Sequence, residues 1–231
     1  MSEQLPLGLR LRASALFSNF VAAPRQQELF ELLKQLTGGG FPAQLYCWGD
    51  VGSGKTHLLQ ASCRHADSLG RTAAYLPLKD CVELPPELVQ GWDEFQLICV
   101  DDIDIAAGHH DWEEALFHLY NRLMERGGRW LAGATVAPGQ LAIGLPDLVS
   151  RLGAGPTYQL RPLDDEQSLE AMRLRARQAG FDLPEDTGRY LLRHLPRDLP
   201  ALMAVLEQLD TASLAAQRKL TVPFVKSVLD L

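Results

Sequence analysis

Eight consecutive residues, Gly49-Asp50-Val51-Gly52-Ser53-Gly54-Lys55-Thr56, fit the pattern G-x-x-x-x-G-K-[ST]. Each residue type in it has a task in holding phosphate. Glycines let the backbone curl until successive N–H groups point at phosphate oxygens, and a helix opening at the end of the loop adds partial positive charge there. Lys55 reaches the terminal phosphates, and the Thr56 hydroxyl takes a magnesium ion. The ligand that suits this chemistry is a nucleoside di- or triphosphate with Mg2+.

A second group of residues belongs to the same chemistry. Leu97-Ile98-Cys99-Val100-Asp101-Asp102 is an apolar run ending in two acids, as a buried central strand looks when its carboxyl edge meets a phosphate site. Asp101 is then the ligand to magnesium's water shell, and Asp102 the group that polarises an attacking water. By itself such a run is simply a strand entering a turn; an intact phosphate loop nearby favours the functional reading. His109-His110-Asp111 is assigned no metal, because neighbouring residues on a loop or helix start do not face one another.

These residues need elements to position them. Short apolar runs at 44–48, 72–76, 96–101, 129–134 and 157–160 read as strands, and 56–69 and 111–126 as helices between them. Such βαβα alternation predicts an α/β fold with a mostly parallel sheet covered on both faces. The phosphate loop thereby falls between a strand and a helix, the context the motif requires. After about Leu163 only helical patterns remain, with Asp164 or Asp165 as a cap, Gly180 as a stop, Pro184 as a restart and Asp198 as another cap. A last helix is expected from Thr221 onward, with Pro223 in its first turn and Phe224, Val225, Val228 and Leu229 along one side.

Composition narrows the setting. With 46% hydrophobic and 22% charged residues among 231, the chain has material for a sizeable core. No apolar run approaches the ~20 residues of a membrane span, so the expectation is a cytoplasmic protein without a membrane partner. Cys47, Cys63, Cys81 and Cys99 are scattered singly and read as small buried hydrophobes. The formal net charge of -7 opposes a chain whose main business is gripping duplex DNA.

Taken with further segments, these motifs resemble the AAA+ ATPases of bacterial replication initiation. Phe17-Ser18-Asn19-Phe20-Val21 is similar to the segment flanking adenine in the DnaA group, and Leu116-Phe117-His118-Leu119-Tyr120-Asn121 to its helix after the acidic strand. Leu145-Pro146-Asp147-Leu148-Val149-Ser150-Arg151-Leu152 and the tail from Ala216 to Lys226 resemble the DnaA-like regulatory inactivators of that family. The resemblance implies a flexible tail at 1–15, an AAA+ P-loop NTPase core at 16–162 and a small helical lid domain at 163–231.

It also implies roles. ADP or ATP is expected on Phe20, Val21, Gly49, Val51, Gly52, Ser53, Gly54, Lys55, Thr56, His57 and Arg197, the last as the lid's sensor arginine, with Mg2+ on Thr56 and Asp101. Arg151 matches the arginine finger that reaches a nucleotide held by a neighbour, a task suited to an always-charged planar guanidinium. Gln4-Leu5-Pro6-Leu7 resembles the short sequence that holds the DNA polymerase sliding clamp, its beta subunit. The implied partners are DnaA and the clamp, with DNA reached mainly through the clamp and a homo-oligomer compatible with the pattern.

Two departures shape the functional expectation. The family commonly has a polar or acidic sensor after the fourth strand, whereas Ala132-Gly133-Ala134-Thr135 leaves only Thr135 to sense a γ-phosphate. Weak or absent hydrolysis by the chain itself follows. No helix-turn-helix domain like the one that follows the lid in DnaA is expected, in keeping with the acidic charge. The leading expectation is a regulator that stimulates hydrolysis of DnaA-bound ATP and represses re-initiation. An autonomous ATPase of the helicase-loader type, or a clamp adaptor with structural nucleotide, are the alternatives.

Overall fold

Five apolar runs form one parallel sheet in the order β2-β3-β4-β1-β5, with β1 Gln44–Trp48, β2 Ala73–Pro77, β3 Leu97–Asp101, β4 Arg129–Ala134 and β5 Thr157–Gln159. β1 and β4 begin and end where the apolar pattern predicts; β3 and β5 differ by one residue at one end, and β2 is shifted by one residue at both. The computed structural model describes residues 11, 15–20, 27–196, 199–216 and 218–229. Two compact units are present, Met1–Pro162 and Leu163–Leu231.

In the first unit β1 to β4 are buried on both faces, which is why they read as nearly continuous apolar runs, while β5 at the sheet edge is partly exposed. Residues still alternate between faces. Tyr46, Ile98, Val100, Trp130 and Ala132 point to one side, where α4 (His110–Glu125) and α5 (Pro146–Gly153) supply Trp112, Leu116, Leu119, Leu148 and Leu152. Leu45, Cys47, Leu97, Cys99 and Leu131 point to the other, against Leu29, Leu33 and Leu36 of α1 (Gln27–Thr37) and Leu58, Leu59 and Cys63 of α2 (Lys55–Ser68). A one-turn helix, α3 (Leu78–Cys81), follows β2.

All four cysteines are free and buried. Burial pushes the Cys47 thiol up to about 12, so it behaves as an uncharged apolar side chain.

The second unit packs α6 (Asp165–Ala179), α7 (Glu185–His194), α8 (Leu199–Ala216) and α9 (Val222–Leu229) around Met172, Leu183, Leu191, Leu206 and Val225. Asp164 caps α6 by accepting from the Gln167 amide at 2.8 Å, while the Gln167 side chain accepts from the Asp164 amide at 3.1 Å. This capping box closes two otherwise open backbone donors. Gly180, at φ 90°, ends the same helix, and Pro184 precedes α7. The buried Thr187 hydroxyl donates to the Leu220 carbonyl at 3.0 Å, tying α7 to the segment before α9. Asp198, expected to cap the next helix, lies outside the described residues.

Candidate nucleotide-binding site

Parallel sheets present their ligands at the carboxyl ends of the strands, where the strand order switches. Here the chain leaves β1 into residues 49–54, jumps to β2 at the sheet edge, and returns through β3 to β4 beside β1. Residues 49–56, Asp101, Asp102 and Thr135 therefore share one edge.

Two glycines make the loop possible. Gly49 has φ 152° and its amide donates to Ala134 at 3.1 Å; a Cβ there would collide with the Leu160 carbonyl. Gly54 has φ 96° and caps α2, and a Cβ on it would come 2.6 Å from the Phe20 ring. Neither position admits another residue without displacement. Phe20 also packs against Phe30 and against His57, whose ring lies 5.6 Å away and whose Nε2 meets the Leu16 carbonyl at 2.9 Å.

The loop's polar groups are arranged for an anion. Lys55 is 5% exposed, and its ammonium donates to the carbonyls of Gly49 at 2.7 Å and Asp50 at 3.0 Å. The Ser53 hydroxyl is buried with no partner among the described residues. Thr56 is half-buried at the start of α2, and Val51 is exposed.

Across from the loop, Asp101 is 2% exposed and its Oδ2 accepts from the Tyr75 hydroxyl at 2.8 Å. Its Oδ1 is buried and unpartnered among the described residues, with room left beside it by Gly133. Unpaired buried oxygens are costly, and a hydroxyl donor, an unpaired carboxylate oxygen and a buried ammonium at one edge fit phosphate plus a hydrated cation. Asp102 is half-buried in the left-handed region at φ 54°, the one non-glycine residue so placed among those described. Burial raises its pKa, helped by Asp101 and Asp104 and opposed by Lys55 and Lys79.

Thr135 is committed elsewhere than expected. Its hydroxyl donates to Asp104 Oδ2, and its amide donates to the same oxygen at 3.2 Å. Sequence alone did not reveal Asp104, which follows the acidic strand by three residues within the turn Ile103–Ala106.

Arg151 is separate from this edge. It is exposed in the last turn of α5, and its carbonyl accepts from Gln44 Nε2 at 2.8 Å; Gln44 is the first residue of β1, at the end away from the loop. Glu113, another residue without a sequence signal, is 2% exposed and accepts from the amides of Gly108 at 3.2 Å and Gly144 at 3.0 Å. It thereby holds the segment leading into α5. Val21, Arg197 and the segment Gln4, Leu5, Pro6, Leu7 lie outside the described residues.

The fold is that of an AAA+ core, and this edge is its candidate nucleotide site. Domain III of DnaA from Thermotoga maritima is similar with a TM-score of 0.81 and 22% identity, over 96% of this chain and 98% of that one. AMPPCP-bound DnaA from Aquifex aeolicus gives 0.73 and 21%, over 87% of this chain and 66% of that one. The Thermotoga maritima RuvB branch-migration motor gives 0.65 and 14%, over 96% and 73%. The family model described as the Hda lid domain matches residues 165–229. The chain thus shares the fold of the DnaA AAA+ domain, and its residues 165–229 match the Hda lid domain. Among the described residues no helix is long and apolar enough to cross a membrane.

Proposed function

We propose that this protein holds ADP or ATP with Mg2+ and, tethered to the sliding clamp on DNA, presents Arg151 to ATP carried by DnaA, so that hydrolysis there restrains re-initiation. The observation that carries the reading is the separation of Arg151 from the chain's own phosphate cradle. Its backbone is bonded to the first residue of β1, whereas the cradle follows the last. Five strand steps of about 3.3 Å put about 16 Å between Gln44 and Gly49, more than an arginine side chain spans. An exposed guanidinium at that end suits a nucleotide held by another subunit.

Within the chain, Lys55 and the amides of residues 49–54 would bind the phosphates, with Thr56 and Asp101 holding Mg2+. The ion supplies neutralisation of phosphate charge. Phe20 and His57 would border the base, with Val21 and Arg197 completing the set by family resemblance. Weak or absent turnover by the chain itself fits the commitment of the Thr135 hydroxyl to Asp104. The clamp contact rests on Gln4, Leu5, Pro6 and Leu7, and DNA is reached through the clamp.

The deciding experiment is single-turnover hydrolysis of labelled ATP preloaded on DnaA, with clamp-loaded DNA and either the parent or Arg151→Ala. The parent is expected to accelerate hydrolysis and Arg151→Ala to lose that effect by roughly a thousandfold or more, as for arginine fingers acting in trans. Deleting residues 1–7 is expected to abolish clamp binding and leave nucleotide affinity intact. Undiminished stimulation by Arg151→Ala sinks the mechanism; ATP turnover by the chain alone would point to the autonomous ATPase instead.

A further inference from the structure

Arg151 lies in the last turn of an eight-residue helix, where its carbonyl accepts from the Ala154 amide just past the helix end at 3.2 Å, and the helix is too short to hold itself. Its direction must come from ties to the rest of the core. One tie is Glu113, on the amide of Gly144 before the helix. The other is a two-residue relay at the helix's far end.

In that relay the Tyr120 hydroxyl donates to Gln44 Oε1, and Gln44 Nε2 donates to the Arg151 carbonyl at 2.8 Å. Gln44 is 8% and Tyr120 7% exposed, so water competes poorly for either bond. The Tyr120 ring is set edge-on to Trp130, 5.5 Å between centroids at 72°, and Trp130 pairs with Gln44 across β4 and β1. Gly155 closes the other side, since a Cβ there would come within 2.9 Å of Gln44 Nε2. A glutamine side chain has one acceptor end and one donor end. With Oε1 taken by a hydroxyl, Nε2 is left aimed at the carbonyl. Burial raises the pKa of the Tyr120 hydroxyl, and the positive charge of Arg151 opposes that rise.

We propose that Gln44 and Tyr120 are positioning residues for Arg151, fixing the backbone from which its guanidinium reaches a neighbour's nucleotide; this rests on the reading of Arg151 given above. Both are buried, and Gln44 stands at the end of β1 away from the phosphate loop. Their loss should therefore lower the rate at saturation and leave binding alone, because small displacements of a catalytic group are amplified into large rate losses.

The test uses Tyr120→Phe, which removes one oxygen, Gln44→Met, which removes both ends of the relay, and Gln44→Glu, which keeps an acceptor for Tyr120 but has no N–H for the Arg151 carbonyl. Each is compared with the parent and Arg151→Ala in single-turnover hydrolysis of DnaA-bound ATP, titrated to saturation. The maximal rate is expected to fall roughly tenfold or more in all three variants, with unchanged half-saturating concentration, unchanged affinity for ADP and a folded thermal transition. Tyr120→Phe added to Arg151→Ala should cost nothing further. If Arg151→Ala is inactive while Tyr120→Phe and Gln44→Met match the parent, the positioning role is overturned and the finger stands. A loss confined to half-saturation also overturns it, by making the pair an interface element. Full activity of Arg151→Ala overturns both.

Discussion

Replacing Lys55 with alanine tests the cradle most directly. Its ammonium is buried and bonded to the Gly49 and Asp50 carbonyls, so it is already held within the loop and needs little reordering to meet a phosphate. A hydrogen bond to a charged partner contributes about 1.5–3 kcal/mol, which corresponds to roughly ten- to 150-fold in the dissociation constant. Folding should survive, because neither apolar cluster of the core includes Lys55. Nucleotide present at a hundred times the parent's dissociation constant stabilises the parent by about 2.7 kcal/mol; a variant binding a hundredfold more weakly would gain only about 0.4 kcal/mol. Equilibrium titration with labelled ADP and ATP in Mg2+, beside denaturant unfolding with and without nucleotide, reads both quantities. Unchanged affinity for both nucleotides would refute the assignment of the loop.

Two further substitutions probe the groups around it. Glu113→Ala leaves the amides of Gly108 and Gly144 without their acceptor and is expected to cost roughly 2–4 kcal/mol in urea unfolding, with Glu113→Gln recovering most of it through its amide oxygen. A cost below about 0.5 kcal/mol would mean that the carboxylate holds nothing in place. Asp102 has its folded pKa raised, so its ionised form is disfavoured by folding: stability falls as pH rises from the ordinary carboxylate value of 3.8 through the folded pKa and stays lower above it. Asp102→Asn removes that penalty and tolerates the left-handed backbone, so it should melt higher than the parent at pH 7, with the advantage vanishing as pH falls below 3.8. An advantage independent of pH would show that charge is not its cause.

The fold was legible because its signals are local. Gln44–Trp48 and Arg129–Ala134 could be read to the residue, as runs buried on both faces and bounded by Gly49 on one side and Gly128 on the other. The Asp164 and Gly180 ends of α6 were equally readable, since capping depends on residues within a turn. Spatial couplings were not. Nothing in the neighbourhood of Glu113 distinguishes it from the solvated acids Asp111 and Glu114, yet its carboxylate is consumed by Gly144, 31 positions away. The bond between Gln44 and Arg151 spans 107 positions and depends on β1 lying beside β5, a pairing no spacing rule announces. Thr135 was visible as a lone hydroxyl, but its capture by Asp104 required the turn after β3 to fold toward β4.

β1 is the element these sites have in common. Its carboxyl end leads into the cradle, its amino end carries Gln44, and β4 runs alongside both, pairing Gln44 with Trp130 and Trp48 with Ala134. A buried parallel strand flanked by hydrogen-bonded neighbours on both sides does not bend or lengthen easily. The strand therefore keeps its two ends at a fixed separation. On the proposed reading, an anchor for Arg151 at one end of the strand and the phosphate loop at the other would keep Arg151 from the chain's own nucleotide. On this geometry, retention of nucleotide and action on a partner's ATP become separable properties, and substitutions at Lys55 and at Tyr120 should each remove one of them by a different route.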